Sequence, residues 1–473
     1  MIISFIICLL FYHTMSFTMI SRRQFIISAG TLAFMGLSRS TFGKVPFLDV
    51  SEHLSAYGPL VTDPNKLLDL PAGFSYQVIS KLGDKMDDGF TVPDKADGMG
   101  CIALDDERVA LVRNHELKPT DLAKADVSLQ THKTSFAYDT TAQGVALPGG
   151  TSHIIYNLKT GKKEQEYLSL TGTIRNCAGG ITPWGSWLTC EETVLTKADG
   201  FNKDHGYIFE IPANAKGLVN PEPLKAMGRF NHEAAAVDPT TGIVYLTEDK
   251  GDSLFYRFIP NEYGKLSKGG KLQAMMIKAQ PQFDTRNWVT GVMPLQHNMA
   301  VEWVDLAQPE SPKDDLRIRG HKQGAALFAR GEGIHWGEKE LYFCCTNGGQ
   351  KQLGQVMKYQ PSAFEGTDKE HLAPGHVQLF VESTDKSLFN FGDNLTVAPN
   401  GHLIVCEDQY TDVVDNHLRG VTPSGDVYNF ARLTAQTELA GACFSADGNT
   451  LFVNVYSPTK TLAITGPWQS FKG

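Results

Sequence analysis

With 473 residues, 42% of them hydrophobic, the chain can bury the core of one large domain or of two or three ordinary ones. Its formal net charge is −9, and no run of Lys and Arg follows the first 44 residues. That balance excludes a nucleic-acid partner and suits a protein that holds hard cations.

The first element is a leader. Ser21-Arg22-Arg23-Gln24-Phe25-Ile26 runs into the apolar stretch from Ile26 to Leu37, the pattern of a twin-arginine export signal. About a dozen apolar residues are too few to span a bilayer comfortably. An earlier apolar stretch, Ile2 to Phe11, precedes Met19 and makes Met19 an alternative start. Residues 1–44 are therefore expected to be a signal region, cleaved around Phe42 to Lys44, with an uncleaved anchor or a chance Arg pair before an apolar helix as the competing readings. Residues 45–473 are expected to form a single domain and a monomer. This reading implies recognition by the twin-arginine translocation machinery, a periplasmic or secreted destination, and no stable membrane insertion after cleavage.

Beyond the leader the chain repeats one short pattern. A polar or acidic residue opens an apolar strand, a tight turn follows, and a second apolar strand ends in another polar or acidic residue. The copies run from Gly100 to Glu116, Cys177 to Glu191, Glu233 to Glu248, Glu332 to Asn347, Asp393 to Glu407 and Glu438 to Asn454. Their turns (LDDER, TPWGS, DPTTG, WGEKE, APNG and SADGN) are mostly the Gly, Asn, Asp and Pro chemistry that reverses a chain. In an antiparallel hairpin the first strand begins where the second ends, so the marked residues of each copy meet at one edge. Such repeats cannot bury their apolar faces alone and must stack. The predicted architecture is all-β, a six-bladed β-propeller with the marked residues converging on a metal centre. A β-sandwich or a two-domain β protein with ordinary hairpins is the competing fold. Segments 117–148 and 273–324 are large insertions, expected to form loops or short helices over the ligand-bearing face.

Seven of the eight cysteines follow the leader, an odd number that cannot all pair. Cys190, Cys344, Cys406 and Cys443 sit in apolar strand runs and read as small core residues. Cys177 instead occupies a loop-like lead-in, Asn176-Cys177-Ala178-Gly179-Gly180, where other copies carry Glu or Asp. Three strand ends finish in paired acids: Cys190-Glu191-Glu192, Thr247-Glu248-Asp249 and Cys406-Glu407-Asp408. Carboxylates aimed into one channel repel and raise one another's pKa unless cations lie between them. Carboxylates and Asn carbonyls favour calcium-like ions, and a thiolate at Cys177 adds a place for a softer metal. Asn-His-Glu occurs twice, at residues 114–116 and 231–233. His115, His232 and His335 are each either ligands or polar residues held in tight turns. Arg330, two residues before Glu332, either faces an anion or fixes Glu332 by a salt bridge. No nucleophile elbow, Walker loop or dinucleotide fingerprint is present, so any chemistry must come from metals.

At these residues the chain resembles the PhoX family of secreted alkaline phosphatases. The matching stretches are the leader, Asn114-His115-Glu116, Asn176 to Thr193, Gly228 to Ala236, Ala329 to Gly333, Asp393 to Asp408 and Glu438 to Pro458. The resemblance implies a metal-dependent phosphomonoesterase that acts on small phosphate esters through a central cluster of ferric iron and calcium. It assigns Cys177 to iron, Arg330 to the substrate phosphate, and Glu233, Glu332 and the Glu191-Glu192 pair to metal, without saying which acid of that pair ligates. Asn114, Glu116, Asp393, Asn394, Glu407 and Asp408 fall in stretches expected to hold calcium. Arg330, Cys177 and Glu332 are the expected catalytic residues. The chain is shorter than typical members, which leaves its substrate range open. A calcium-dependent lactonase or esterase propeller, needing no thiolate, and a non-catalytic metal-stabilised binding propeller are the alternatives.

Overall fold

A computed structural model describes residues 56–123 and 135–470 of the chain. They belong to one compact unit, and the expected signal region lies outside them. Short strands dominate: among the described residues there is one α-helix, α1 (Leu316–Lys322), against 26 strands. None of the described helices is long and apolar enough to cross a membrane.

Strands β1 (Leu60–Val61), β2 (Leu68–Pro71) and β3 (Ser75–Lys81) lead the chain. The first small sheet is β4 (Ala96–Ala103), β5 (Arg108–His115), β6 (Gly149–Asn157) and β7 (Lys162–Thr173). The second is β8 (Asn176–Ile181), β9 (Ser186–Glu191) and β10 (Ile208–Pro212). A nine-stranded sheet begins with β11 (His232–Val237), β12 (Val244–Glu248), β13 (Tyr256–Pro260) and β14 (Gly270–Ile277). It passes through β15 (Met299–Asp305) and ends with β16 (Gly331–Trp336), β17 (Leu341–Cys345), β18 (Gln355–Gln360) and β19 (His376–Glu382). Next come β20 (Gly392–Val397), β21 (Leu403–Glu407), β22 (His417–Val421) and β23 (Val427–Leu433), whose outer edge takes up β2 and then β1. The last sheet is β24 (Leu439–Phe444), β25 (Thr450–Val455) and β26 (Lys460–Thr465), completed by β3 from the other end of the chain.

The inner strands β4, β8, β11, β16, β20 and β24 pack each against the next, and β24 packs back on β4. Apolar clusters fill the spaces between successive groups of strands. Ile102 and Val112 meet Trp187 and Phe209, Tyr245 meets Phe343, and Phe452 and Ala463 meet Leu111 and Ile154. Strands pressed between two such layers are buried on both faces, and β5 and β25 are accordingly buried along almost their whole length, polar residues included. The fold is therefore all-β and propeller-like. Six separate sheets were expected, but one sheet is continuous across two hairpin groups. The reason is β15, which lies in the 273–324 insertion and pairs with β14 on one side and β19 on the other.

All six expected hairpins are present. The first begins at Ala96 and not at Gly100, because β4 starts four residues earlier than its apolar run suggests. The seven cysteines of the domain are buried and free.

Candidate metal centre

Each inner hairpin contains the same irregularity. Ala96 pairs with His115 and Met99 with Arg113, so Asp97 and Gly98 together face Asn114. The same two-for-one bulge sets Cys177-Ala178 against Cys190, Glu233-Ala234 against Thr247 and Glu332-Gly333 against Cys344. It also sets Asp393-Asn394 against Cys406 and Gly441-Ala442 against Val453. A bulge bends its strand and re-aims a side chain. Five of the six place an acid or a thiol at the first bulged residue: Asp97, Cys177, Glu233, Glu332 and Asp393. The second bulged residue is small or Asn because it meets the next inner strand. A Cβ at Gly98 would fall 2.5 Å from the Cα of Ala178, and one at Gly333 would fall 2.6 Å from the Cα of Asn394.

A second ring comes from the ends of the outgoing strands, where side chains alternate. Glu191 is buried and turned away: it accepts hydrogen bonds from the Ile174 and Gly206 amides and from His205 Nδ1 at 3.0, 2.9 and 2.7 Å. Glu407 accepts from the Asn390 and His417 amides and from Arg419 Nε at 2.9, 2.9 and 2.8 Å. Both were expected among the ligands, and both are consumed by fastening their own strands. The next residue along, Glu192 or Asp408, joins a group of neighbouring donors instead, while Glu116 and Asp249 are ion-paired with Arg175 and Arg330.

Donor atoms of Cys177, Glu192 and Glu233 lie within 4.8 Å of one another, as do those of Glu233, Glu332 and Asp393, and those of Asp393, Asp408 and Glu438. Glu233 and Asp393 are shared, so the three groups form a continuous string. Glu438 was not among the expected ligands. Asp97 was also missed; its carboxylate sits 3.6 Å from Cys177 Sγ.

The string needs positive charge. Burial, and then the carboxylates of Glu116, Asp393 and Glu192, hold Asp97 far above the usual carboxylate range. Burial and neighbouring acids do the same to Glu233, Glu332 and Glu438. Glu192 is pushed up to about 8 and Asp393 to about 7, burial being the largest cause for each. The Cys177 thiol is raised well above its ordinary value by burial and by Asp97. Both carboxylate oxygens of buried Glu233 lack a hydrogen-bond partner. Acids left in this condition are costly unless cations take the place of solvent. The residues present therefore fit a metal cluster.

Two guanidinium groups flank the string. Arg175 and Arg330 each stand two residues before a bulged ligand and share a left-handed backbone, with φ of 50° and 52°. Arg175 donates to Glu116 Oε1 at 2.6 Å, to the Glu192 carbonyl at 3.0 Å and to the Glu192 carboxylate. Arg330 is gripped by both oxygens of Asp249, at 2.7 and 2.8 Å, and also reaches Glu332 Oε1 at 3.1 Å.

Other expected ligands take structural places. Asn114 donates to the carbonyls of Cys177 and Ala178 and accepts from Trp187 and Thr189, so its amide is fully engaged between strands. Asn394 accepts from the Gly441 amide at 2.7 Å and donates to Asp393 Oδ1 at 2.9 Å. His115 bonds the Asp94 carbonyl and Ser152, His232 the Gly228 carbonyl, and His335 the Trp336 carbonyl. The histidines are thus hydrogen-bonded within or at the ends of strands β5, β11 and β16, and not in tight turns. A separate channel of about 280 Å³, lined by Gly98, Ala178, Gly180, Ala234, Gly333 and Ala442 among others, is largely apolar.

The profile of the alkaline phosphatase PhoX family matches residues 55–459. The chain belongs to that family. Membership makes it a phosphoric monoester hydrolase of a metal-dependent kind, and the buried acids are the groups that could hold a metal. Its fold is similar to that of Pseudomonas fluorescens PhoX in complex with vanadate, a transition state analogue. That likeness has a TM-score of 0.62 at 18% identity and covers 87% of this chain and 98% of the other. XC5397, a gluconolactonase from Xanthomonas campestris, aligns at a TM-score of 0.37 and 11% identity over 88% of this chain and 99% of its own. A putative 6-phosphogluconolactonase from Bacteroides uniformis gives 0.36 and 11%, over 82% and 91%. No curated protein sequence matches the chain.

Proposed function

We propose that this alkaline phosphatase cleaves small phosphate monoesters at a mixed cluster, with ferric iron toward Cys177 and calcium toward Glu438. The observation that carries the reading is the composition of the string: its one thiol lies in the first donor group, and the last is entirely oxygen. Soft thiolate selects a transition metal, and clustered carboxylates suit calcium. Cys177, Glu192, Glu233 and Asp97 would hold or orient iron, and Asp393, Asp408 and Glu438 would hold calcium, with Glu233, Glu332 and Asp393 between them. When bound, such cations supply Lewis acidity and neutralise charge on a phosphoryl group.

The chain's own residues do the rest. Arg330 offers Nη1, which makes no hydrogen bond among the described residues, to a phosphoryl oxygen. Its positive charge is preorganised by Asp249 before substrate arrives. Arg175 spreads charge over Glu116 and Glu192. Tyr410, its ring 5.5 Å from the Arg330 guanidinium, forms part of the wall beside the anion.

The same reading counts six blades: the nine-stranded sheet is two four-stranded blades splinted at their outer edges by β15, supported by the six repeated bulges. It also takes residues 1–44 as a twin-arginine signal, places the mature enzyme in the periplasm or outside the cell, and treats it as a monomer. The test is to purify the protein, measure iron and calcium, and assay phosphate release at alkaline pH. The expected result is both metals, a visible thiolate-to-iron absorption band that Cys177→Ser abolishes, and turnover. Fully metallated protein that releases no phosphate from any ester would overturn the reading.

A further inference from the structure

Arg330 and Asp249 come from different hairpins. Asp249 follows β12, and Arg330 precedes β16. The two segments are joined through the main chain as well, where the Arg330 amide donates to the Lys250 carbonyl at 3.0 Å. Nε and Nη2 of the guanidinium meet the two Asp249 oxygens, a fork-to-fork pairing that fixes both position and rotation of the planar group. The remaining contacts of Nη2 go to Glu332 at 3.1 Å and to the Tyr410 hydroxyl at 3.4 Å. Nη1 is left over. Asp249 is 13% exposed and Arg330 24%, so the pair lies at the edge of the buried cluster, where an anion can reach it.

From this geometry we infer that Asp249 is the positioning residue that aims Arg330 at the phosphoryl group. The inference rests on Arg330 being the phosphate-binding residue. Without Asp249, the nearest carboxylate left to the guanidinium is Glu332, a member of the metal string. Arg330 would then fold onto Glu332 and lose its alignment. Removing the Asp249 charge also makes the arginine more attractive to a ground-state phosphate. The two effects act on different constants: affinity for substrate holds or improves, and the rate of the step that needs alignment falls.

Four forms of the metal-loaded enzyme decide the matter: wild type, Asp249→Asn, Arg330→Ala and the double variant, each assayed with 4-nitrophenyl phosphate and each checked for metal content and melting temperature. Asp249→Asn is nearly isosteric and keeps the fold. It is expected to lower kcat by about tenfold or more with KM within about threefold of wild type. The double variant is expected to be no slower than Arg330→Ala alone, because Asp249 acts only through the arginine. A kcat for Asp249→Asn within twofold of wild type, or losses that multiply in the double variant, would overturn the positioning role while Arg330→Ala stays slow. Wild-type kinetics for Arg330→Ala would instead remove the phosphate-binding reading, and the inference with it.

Discussion

The carboxylate of Asp97 approaches Cys177 Sγ to 3.6 Å, and each of the two residues is the first member of a bulge in adjacent inner hairpins. Equivalent positions in neighbouring repeats therefore place an acid against the softest donor of the centre. Burial and Asp97 raise the Cys177 thiol well above its ordinary value, so a metal must displace its proton to bind. The carboxylate is the natural acceptor for a hydrogen bond from that thiol and a natural neighbour for the cation that replaces it.

Asp97→Asn is accordingly expected to weaken metal binding at the thiol end by about 10–100-fold, the range for residues that orient a ligand or touch the metal themselves. Metal content after dialysis against a graded chelator measures it. Retention equal to wild type would mean that Asp97 plays no part in the cluster.

Removing metal should weaken the fold as well as the site. The first bulged residues of five hairpins meet at the centre, so cations there tie the ring together. A ligand that binds only the native state adds about 2.7 kcal/mol at a hundredfold excess over Kd. Chelation is expected to lower the melting temperature and abolish activity over the same range of chelator. A melting curve unmoved by excess chelator would count against cations bridging the hairpins.

Much of this arrangement was legible in the sequence. Turn chemistry and apolar runs marked the inner hairpins, and the break in pattern at Cys177, Glu233, Glu332 and Asp393 marked the bulges without revealing them as bulges. Asp97 escaped because β4 extends past its apolar run through Ala96-Asp97-Gly98-Met99, where Gly98 masks the strand. The signal was there, since Asp97-Gly98 has the same form as Glu332-Gly333. Glu438 was visible as a hairpin start but had no partner acid beside it, and it meets Asp408 only through the fold. The acid pairs could not be resolved from sequence, because which member faces inward depends on where pairing stops: Asn176 with Glu191, and Gly392 with Glu407. Arg175 belongs to no motif, and its role appears only once Glu116 and Glu192 are brought to it. The closure of the last sheet by β3 joins residues from opposite ends of the chain, and no local pattern signals it.

Glu191 has a different duty from Glu192, and pH should reveal it. Burial pushes the His205 imidazole down, but the carboxylates of Glu191 and Asp139 outweigh it and raise its pKa to about 9. A histidine whose folded pKa is raised contributes stability that is fully present below its unfolded value, roughly 6.5, and lost as pH rises through the folded value. Wild type should therefore lose stability between about pH 6.5 and 9 relative to His205→Gln, in denaturant titrations of the metal-loaded protein. Parallel pH profiles for the two proteins would show that His205 is not charged in the fold.

Export should depend on the arginine pair. Arg22→Lys combined with Arg23→Lys keeps the charge but removes the twin-arginine signature. Folded, metal-loaded enzyme is expected to accumulate in the cytoplasm, measured by fractionation and phosphatase assay. Undiminished export of the double variant would refute a twin-arginine route.

Arg175 and Arg330 occupy equivalent places in their hairpins, yet they should fail differently. Every nitrogen of Arg175 is engaged: Nε with Glu116, Nη1 with the Glu192 carbonyl and Nη2 with the Glu192 carboxylate. It spends three of its five N–H groups on acids of the metal string, which it neutralises and fastens. Arg175→Ala leaves Glu116 and Glu192 without their counter-charge, so metal content and melting temperature should fall with activity. Arg330 keeps Nη1 for an anion. Arg330→Ala should retain its metals and melt near wild type, while losing about 2–4 kcal/mol of transition-state stabilisation, the scale of one preorganised donor at a developing charge. Metal analysis, melting and steady-state kinetics on the two variants separate these outcomes. If Arg175→Ala kept full metal and Arg330→Ala lost it, the roles would be reversed, and the phosphate would be held on the Cys177 side of the cluster.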